Sequence, residues 1–191
     1  MTKSFVHLHA HTEYSMLDGA AKIVDYLKKV KELNQPAAAI TDHGNLYGAM
    51  EFVQKANDLG IKPIIGYEAY ITPGSRFDRP DRENNKRYHL TLLAENNIGY
   101  QNLVELVSKA YTEGYYYKPR IDYELLDQHH DGLIALSGCL GGELAQHLAP
   151  DGSVEEGNTS NERSFEKALD IAKKYQSIFG KGNYFIEIHN H

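Results

Sequence analysis

Short, β-rich apolar runs alternate with longer segments of helical spacing along the chain, and this alternation constrains the fold more than any other feature. Parallel strands need a crossover connection between them, which is usually a helix. The alternation therefore predicts an α/β fold with a largely parallel sheet. The predicted strands cover residues 4–10, 37–41, 63–67, 88–94, 132–137 and 184–189, and the predicted helices cover residues 20–33, 46–59, 99–113, 122–129, 143–148 and 162–179.

The composition is that of one globular domain, to which we assign residues 1–191. Apolar residues make up 41% and charged residues 24%, which argues against a disordered or membrane-spanning chain. The single cysteine, Cys139, cannot form an internal disulfide, and no signal-peptide core follows Met1, so a cytoplasmic location is expected. A net charge of −6 has the wrong sign for a free-standing nucleic-acid binder.

Histidine is over-represented: there are ten, and three of them alternate along the first predicted strand and the residue that follows it. His7, His9 and His11 share one face of that strand because side chains alternate along a strand. A row of imidazoles facing inward is typical of a barrel strand that bears a metal site. A strand with one polar, solvated face has the same pattern, so this motif alone leaves both interpretations open.

A second candidate position is the end of the predicted strand 37–41, where Asp42 and His43 precede a predicted helix. Barrels of the α/β class place their chemistry at the carboxyl ends of strands, which makes His43 a candidate site residue. Asp42 has two interpretations, because a carboxylate here can orient an imidazole as a hydrogen-bond acceptor or cap the following helix.

Four further residues occupy comparable positions: Asp18, Glu68, His89 and Cys139. Each alone has a structural explanation, as a helix cap, a solvated carboxylate, a core histidine or a small buried side chain. With His9, His11 and His43 they supply imidazole, carboxylate and thiolate groups, which suit zinc, manganese or iron(II), with magnesium as a further alternative. Seven ligands exceed what one tetrahedral ion needs. We therefore expect two or three divalent ions that activate a water for hydrolysis.

These motifs resemble those of the polymerase-and-histidinol-phosphatase (PHP) domain, in the version that opens bacterial replicative DNA polymerase III alpha subunits. The resemblance covers essentially the whole chain. The motifs that carry it are residues 7–19, 41–45, 62–70, 89–91, 115–122 and 137–139.

The resemblance implies a distorted, TIM-like (β/α)7 barrel with a trinuclear metal centre in its mouth. It implies the metal ligands His9, His11, Asp18, His43, Glu68, His89 and Cys139. The family pattern ends with an Asp-x-His pair on a late strand, which is not reached before His191, so we expect a barrel that is incomplete at its C-terminus. His189-Asn190-His191 has a similar spacing but falls at an earlier strand, and no ligand role is assigned to it.

The resemblance also implies a metal-dependent phosphoesterase, and specifically a 3′–5′ exonuclease that proofreads during DNA replication. Nucleotide addition would belong to other regions of such a polymerase. The implied partners are the DNA primer 3′ end and replisome subunits such as the sliding clamp, with no membrane. The alternatives are a stand-alone phosphatase of the histidinol-phosphate type and a catalytically silent scaffold module.

Several cations are candidates for contact with a phosphate backbone: Arg76, Arg79, Arg82, Lys86 and Arg87, and also Lys118 and Arg120. Arg76 lies in a loop of mixed charge, residues 72–87, while Lys118 and Arg120 follow Tyr115–Tyr117, whose rings can stack on a base. The competing interpretations are a neutralised surface loop and packing of the tyrosines against the barrel wall.

Overall fold

The computed structural model describes residues 5–16, 18–148 and 160–189, and of residues 160–163 only the backbone. Six helices and six strands lie in these ranges, which confirms the predicted α/β class. In chain order they are α1 (Ile23–Glu32), β1 (Ala37–Ile40), α2 (Ala49–Asp58), β2 (Lys62–Ile71), β3 (Tyr88–Ala94), α3 (Asn97–Thr112), β4 (Arg120–Ile121), α4 (Tyr123–Gln128), β5 (Leu133–Leu136), α5 (Glu143–Leu148), α6 (Ser160–Phe179) and β6 (Tyr184–Phe185).

The sheet is mixed, so the prediction of a largely parallel sheet is wrong at its centre. The strand order is β1-β2-β3-β5-β6, and β4 pairs with the end of β2. Strand β3 runs antiparallel to both of its neighbours, whereas the other pairs are parallel. The reason is the connection from β2 to β3, the loop 72–87, which contains no helix. Antiparallel neighbours need no helical crossover.

The segment predicted as the first strand does not form one; Ser4 lies outside the described residues. The backbone N–H of Thr41 donates to the carbonyl of Ala10 (2.9 Å), but the N–H of Ala10 donates to the Thr41 side-chain oxygen (2.8 Å). A side chain thus takes the place of the next main-chain acceptor, and no strand ladder follows. Strands β1 and β6 lie at the two ends of the sheet order and do not pair with each other in the described part of the chain. The closed, seven-stranded barrel therefore stays a prediction.

Strand β2 is the central element because it pairs with β1 through its first half and with β3 through its second half. The pairing of β2 changes from β1 to β3 at Gly66, which lies opposite Leu93 of β3. A Cβ atom at Gly66 would stand only 2.3 Å from the Leu92 carbonyl oxygen, so this close approach of the strands requires glycine. The resulting register places Glu68 opposite Thr91.

The apolar core has two main parts, both packed on this sheet. The larger part joins β2, β3 and β5 to α3 and α6, through residues such as Leu90, Leu103 and Tyr175. The other joins α1 and α2 to β1, through residues such as Leu27 and Phe52. None of the described helices has the length and apolar character needed to cross a membrane.

The loop 72–87 is anchored by a buried cation. Arg120 is fully buried, and its guanidinium donates to the backbone carbonyls of Gly114 (3.0 Å), Arg76 (3.0 Å) and Asp78 (2.7 Å). Buried carbonyls that lose their donor are costly because water cannot replace it. Arg120 therefore fixes the loop that leads into β3.

Replacing Arg120 by methionine is expected to destabilise the protein. The Arg120→Met side chain still fills space, but three backbone carbonyls, two of them buried, lose their donor, so the free energy of unfolding should fall by about 3 kcal/mol. Urea denaturation followed by circular dichroism measures this change. Arg82→Met, at an exposed position of the same loop, is the matched control; equal stability of the two variants would contradict the anchoring role.

Candidate metal centre

Glu68 lies at the centre of the candidate site, buried on the second half of β2. Its backbone N–H donates to the Asp42 carbonyl (3.0 Å), and its own carbonyl accepts from the N–H of Gly44 (2.9 Å). These two bonds continue the β1–β2 pairing beyond the end of β1 and place His43 directly beside Glu68. The end of one strand and the middle of the next therefore meet at one point.

Four imidazoles surround the Glu68 carboxylate. Its Oε1 atom is 3.4 Å from His9 Nε2 and 3.0 Å from His89 Nδ1. Its Oε2 atom is 3.4 Å from His11 Nε2 and 2.6 Å from His43 Nδ1. These histidines come from the N-terminal segment, from the end of β1 and from β3, so the fold gathers them from distant parts of the chain.

Asp18 and Cys139 complete the cluster on opposite sides of Glu68. The Asp18 carboxylate lies 2.7 Å from His43 Nε2 and is 56% exposed, which places it at the open side of the cluster. The Cys139 sulfur lies 3.6 Å from Glu68 Oε1 and 3.6 Å from His89 Nδ1. All seven residues predicted as metal ligands are therefore brought together in one place.

The donor atoms fit divalent cations. His43 Nδ1 and Glu68 Oε2 are both buried and 2.6 Å apart, yet neither forms a hydrogen bond within the described structure. Two polar atoms in such contact are costly unless a cation satisfies both. Ligand atoms of His9, His11 and Glu68 lie within 4.8 Å of one another, as do those of His43, Glu68 and His89. These two groups would hold the ions, and Glu68 belongs to both.

A third group contains residues to which the sequence reasoning gave no ligand role. Glu187 Oε1 lies 2.8 Å from His9 Nδ1 and 2.8 Å from His189 Nε2. Its backbone N–H donates to the Ser137 hydroxyl (2.9 Å), which ties the segment after β6 to the end of β5. The sequence did contain one indication of this group: Glu187 and His189 are separated by one residue, as His9 and His11 are. Asn190 and His191 lie outside the described residues.

Asp42 organises the loop before the cluster and does not bind an imidazole directly. Its buried carboxylate accepts hydrogen bonds from the Thr12 backbone N–H (2.6 Å), the Thr12 hydroxyl (2.7 Å) and the Ser15 hydroxyl (2.6 Å). The Ser15 oxygen in turn accepts from the backbone N–H of His43 (3.0 Å) and lies 3.3 Å from His11 Nδ1. The predicted orienting role therefore passes through Ser15.

Arg76 and Arg120 were predicted as substrate contacts, and the structure contradicts this. Arg120 is the buried anchor described above. Arg76 is also buried, and its guanidinium pairs with Glu113 (2.7 Å) and Asp122 (3.0 Å). The loop folds both side chains inward because these acceptors lie beneath it. Neither cation is available to a phosphate.

Lys118, another predicted contact, does lie near the cluster. Its ammonium nitrogen is 5.2 Å from the centre of the Tyr70 ring, a cation–π distance. The Tyr70 ring stacks on the His43 ring at 5.9 Å. Lys118 is therefore one aromatic ring away from a candidate ligand, and its contact with substrate stays a prediction.

Two of the imidazoles hold a proton well above the pH at which free histidine loses it. Burial by itself lowers the pKa of His9, but hydrogen bonds to Glu187 and Glu68 raise it to about 10. Burial also lowers the pKa of His89, and its contacts with Cys139 and Glu68 raise it to about 9. A metal ion needs neutral imidazole, so these protons occupy positions that a cation would take.

The central carboxylate is shifted in the opposite direction. Burial raises the pKa of Glu68, but its contacts with His43, His89 and His9 outweigh burial and hold that pKa well below its usual range. Burial and the neighbouring His43 lower the pKa of His11. An ionised carboxylate beside a neutral imidazole is the protonation state that metal ligation requires.

The raised histidine pKa values make the stability of the metal-free protein depend on pH. Unfolding returns His9 and His89 to a pKa near 6.5, so their protons stabilise the folded state fully below that pH and progressively less as the pH rises through about 9 and about 10. In EDTA, we expect the free energy of unfolding from urea titrations to fall from neutral pH to about pH 10. A flat or rising profile would contradict this.

Metal binding should show the complementary dependence. Because the ion displaces these protons, the apparent affinity for zinc is expected to rise with pH, by up to about tenfold per pH unit for each proton displaced. Calorimetric titration in buffers of different ionisation enthalpy counts the released protons. His129→Asn, at a histidine outside the cluster, is the control and should leave the proton count unchanged. Zinc binding without proton release would overturn the interpretation.

The chain was compared with known proteins, and a family model described as the PHP domain matches residues 7–191. Similar curated relatives are DNA polymerase III alpha subunits. Those of Thermus aquaticus, Deinococcus radiodurans and Treponema pallidum are 52%, 51% and 49% identical, over 98%, 99% and 98% of this chain. The chain spans only 15%, 14% and 15% of the length of these relatives.

Similarity to solved structures is weaker. A structure from Bifidobacterium adolescentis whose title names a metal-dependent phosphoesterase is 10% identical, with a TM-score of 0.46, over 96% of this chain and 77% of that one. A likeness of this size carries no conclusion about function. The match of the family model to residues 7–191 is sufficient by itself: the chain belongs to the PHP domain family.

Proposed function

We propose that this chain is the phosphoesterase domain of a bacterial replicative DNA polymerase, and that it removes nucleotides from DNA 3′ ends. The observation that carries the proposal is the cluster of four imidazoles around the buried carboxylate of Glu68. Such a ligand set suits two or three zinc or manganese ions. The similarity to DNA polymerase III alpha subunits supports DNA as the substrate.

The reaction would be hydrolysis of the terminal phosphodiester. Bound divalent ions would neutralise the phosphate and lower the pKa of the attacking water. The water oxygen forms a bond to phosphorus while the bond to the 3′ oxygen of the preceding nucleotide breaks. That oxygen leaves as a hydroxyl group after gaining a proton, and a 5′-mononucleotide is released.

The chain's own residues have separable tasks in this scheme. His9, His11, His43 and His89 would supply imidazole ligands and Cys139 a thiolate, and Glu68 would join the two groups of ligands. Asp18, on the exposed side and paired with His43, is placed where the substrate would arrive. Lys118, beside the Tyr70 ring, would add positive charge near the substrate phosphate.

The polymerase context sets the expected partners. Nucleotide addition would belong to regions outside this chain, since the relatives are about seven times longer than the match, as the 15% coverage shows. DNA with a primer 3′ end would be the substrate, and replisome subunits such as the sliding clamp would be further partners. The seven-stranded barrel and the extent of this domain, residues 1–191, belong to the same proposal.

The decisive experiment is metal analysis combined with an exonuclease assay. The full natural chain, loaded with zinc or manganese, is expected to release 5′-mononucleotides from a primer with a mismatched 3′ end. Glu68→Gln should lower the metal content measured by elemental analysis and reduce the rate at least about 100-fold, because both ligand groups share this carboxylate. Glu105→Gln, at an exposed position of α3, is the matched control and should behave like the natural protein.

Two results would overturn the proposal in different ways. Phosphate release from small monoesters without attack on DNA would favour a phosphatase of the histidinol-phosphate type. A natural chain that binds no metal, with Glu68→Gln changing stability alone, would favour the silent scaffold.

A further inference from the structure

A groove opens beside the metal centre, between the start of β3, helix α5 and helix α6. Its cavity volume is about 690 Å³, within the usual range for ligand sites. We call it the basic groove, and define it by Lys86, Arg87, His89, Gln146, His147 and Lys167. His89 belongs both to the groove wall and to the cluster around Glu68, so the two sites share a side chain.

The groove and the cluster meet at His89, which lines the groove and contacts Glu68. Gly141 also lines the groove, and a Cβ atom at this position would stand 3.0 Å from His89 Nδ1. A side chain there would press on the ring that the two sites share. Glycine at this position therefore leaves room for the His89 ring between the groove and the cluster.

The groove is cationic in a chain whose net charge is −6. Lys86, Arg87 and Lys167 are exposed, and no carboxylate lines the groove among the described residues. Within the same part of the chain, no ion pair is found for any of these three cations. Arg76, by contrast, is paired with carboxylates on two elements. Among the described residues, the groove thus holds positive charge that no carboxylate pairs with.

The charges act together on their neighbours. Burial lowers the pKa of His147, and the positive charges of Lys167 and Lys86 lower it further, while Glu143 partly offsets them. At the other end, burial and the negative charges of Glu68 and Asp18 raise the pKa of Tyr70, and the charge of Arg87 opposes that rise. Tyr70 packs edge-on against His89 at 5.3 Å. The positive charge of the groove therefore acts on His147, whereas at Tyr70 the carboxylates of Glu68 and Asp18 outweigh the charge of Arg87.

We propose that the basic groove binds the phosphodiester backbone of a single-stranded nucleic acid whose terminal nucleotide lies at the metal centre. The cations come from two elements, Lys86 and Arg87 from the loop before β3 and Lys167 from α6, so they lie along the groove and not at a single point. A path of unpaired cations fits a chain of phosphates better than one small anion. The inference rests on the proposed nuclease function and adds to it the route by which the strand arrives.

The first test compares substrates of different length in the full natural chain. The combined variant Lys86→Ala, Arg87→Ala, Lys167→Ala is expected to lose at least about tenfold more kcat/KM on a strand of about twelve nucleotides than on a dinucleotide. The slope of log KM against log salt concentration should fall by about 2, because three phosphate contacts each contribute about 0.7. Lys173→Ala, on the solvent side of α6 beside Asp170, is the matched control.

The second test does not depend on hydrolysis. In EDTA, an amine-reactive reagent and peptide mass spectrometry report the accessibility of individual lysines. Oligothymidylate is expected to protect Lys86 and Lys167 from modification and to leave Lys173 reactive. This footprint is local, so DNA bound elsewhere on a longer chain does not affect it.

The outcomes separate this inference from the proposed function. If the natural protein hydrolyses no DNA but the lysines are protected, the nuclease proposal fails and the groove remains a nucleic-acid site. If hydrolysis proceeds while Lys86 and Lys167 stay as reactive as Lys173, the groove proposal fails. Protection by inorganic pyrophosphate with none by oligothymidylate identifies a small-anion site and also overturns it.

Discussion

A buried carboxylate that must remain ionised is the constraint on which the rest of this structure depends. Glu68 has no exposed surface, and a buried charge is tolerated in a protein only with partners of opposite charge or with a metal. The surrounding imidazoles meet that need in the metal-free protein through the protons of His9 and His89. Folding, histidine protonation and the binding of a cation are therefore coupled through the charge of Glu68.

The sheet is arranged to satisfy this constraint. Strand β2 continues past β1 to pair with β3, so one side chain of β2 faces ligands from both neighbours. Gly66 allows the close approach, and Asp42 secures the preceding loop through Thr12 and Ser15. Because these supports carry no ligand atoms, their loss would displace the ligands without changing the ligand set.

Much of this arrangement could be predicted, and the reasons for the exceptions are physical. His43 and Cys139 follow apolar strands, and a strand pattern is local, so their positions were readable from the sequence. Glu187 was not, because its place beside His9 depends on the pairing of β5 with β6. Arg76 and Arg120 resemble surface cations in sequence, since the carbonyls and carboxylates that bury them come from other segments.

The hydrogen bond between His9 and Glu187 joins residues 178 positions apart. Closing a loop of that length costs about 4–5 kcal/mol of chain entropy, which few early contacts can offset. The contact between His9 and Glu187 should therefore form last, after the sheet and helices have brought these two segments together. During synthesis, Glu187 leaves the ribosome 178 residues after His9, so His9 waits for this partner until nearly all the described elements have been made.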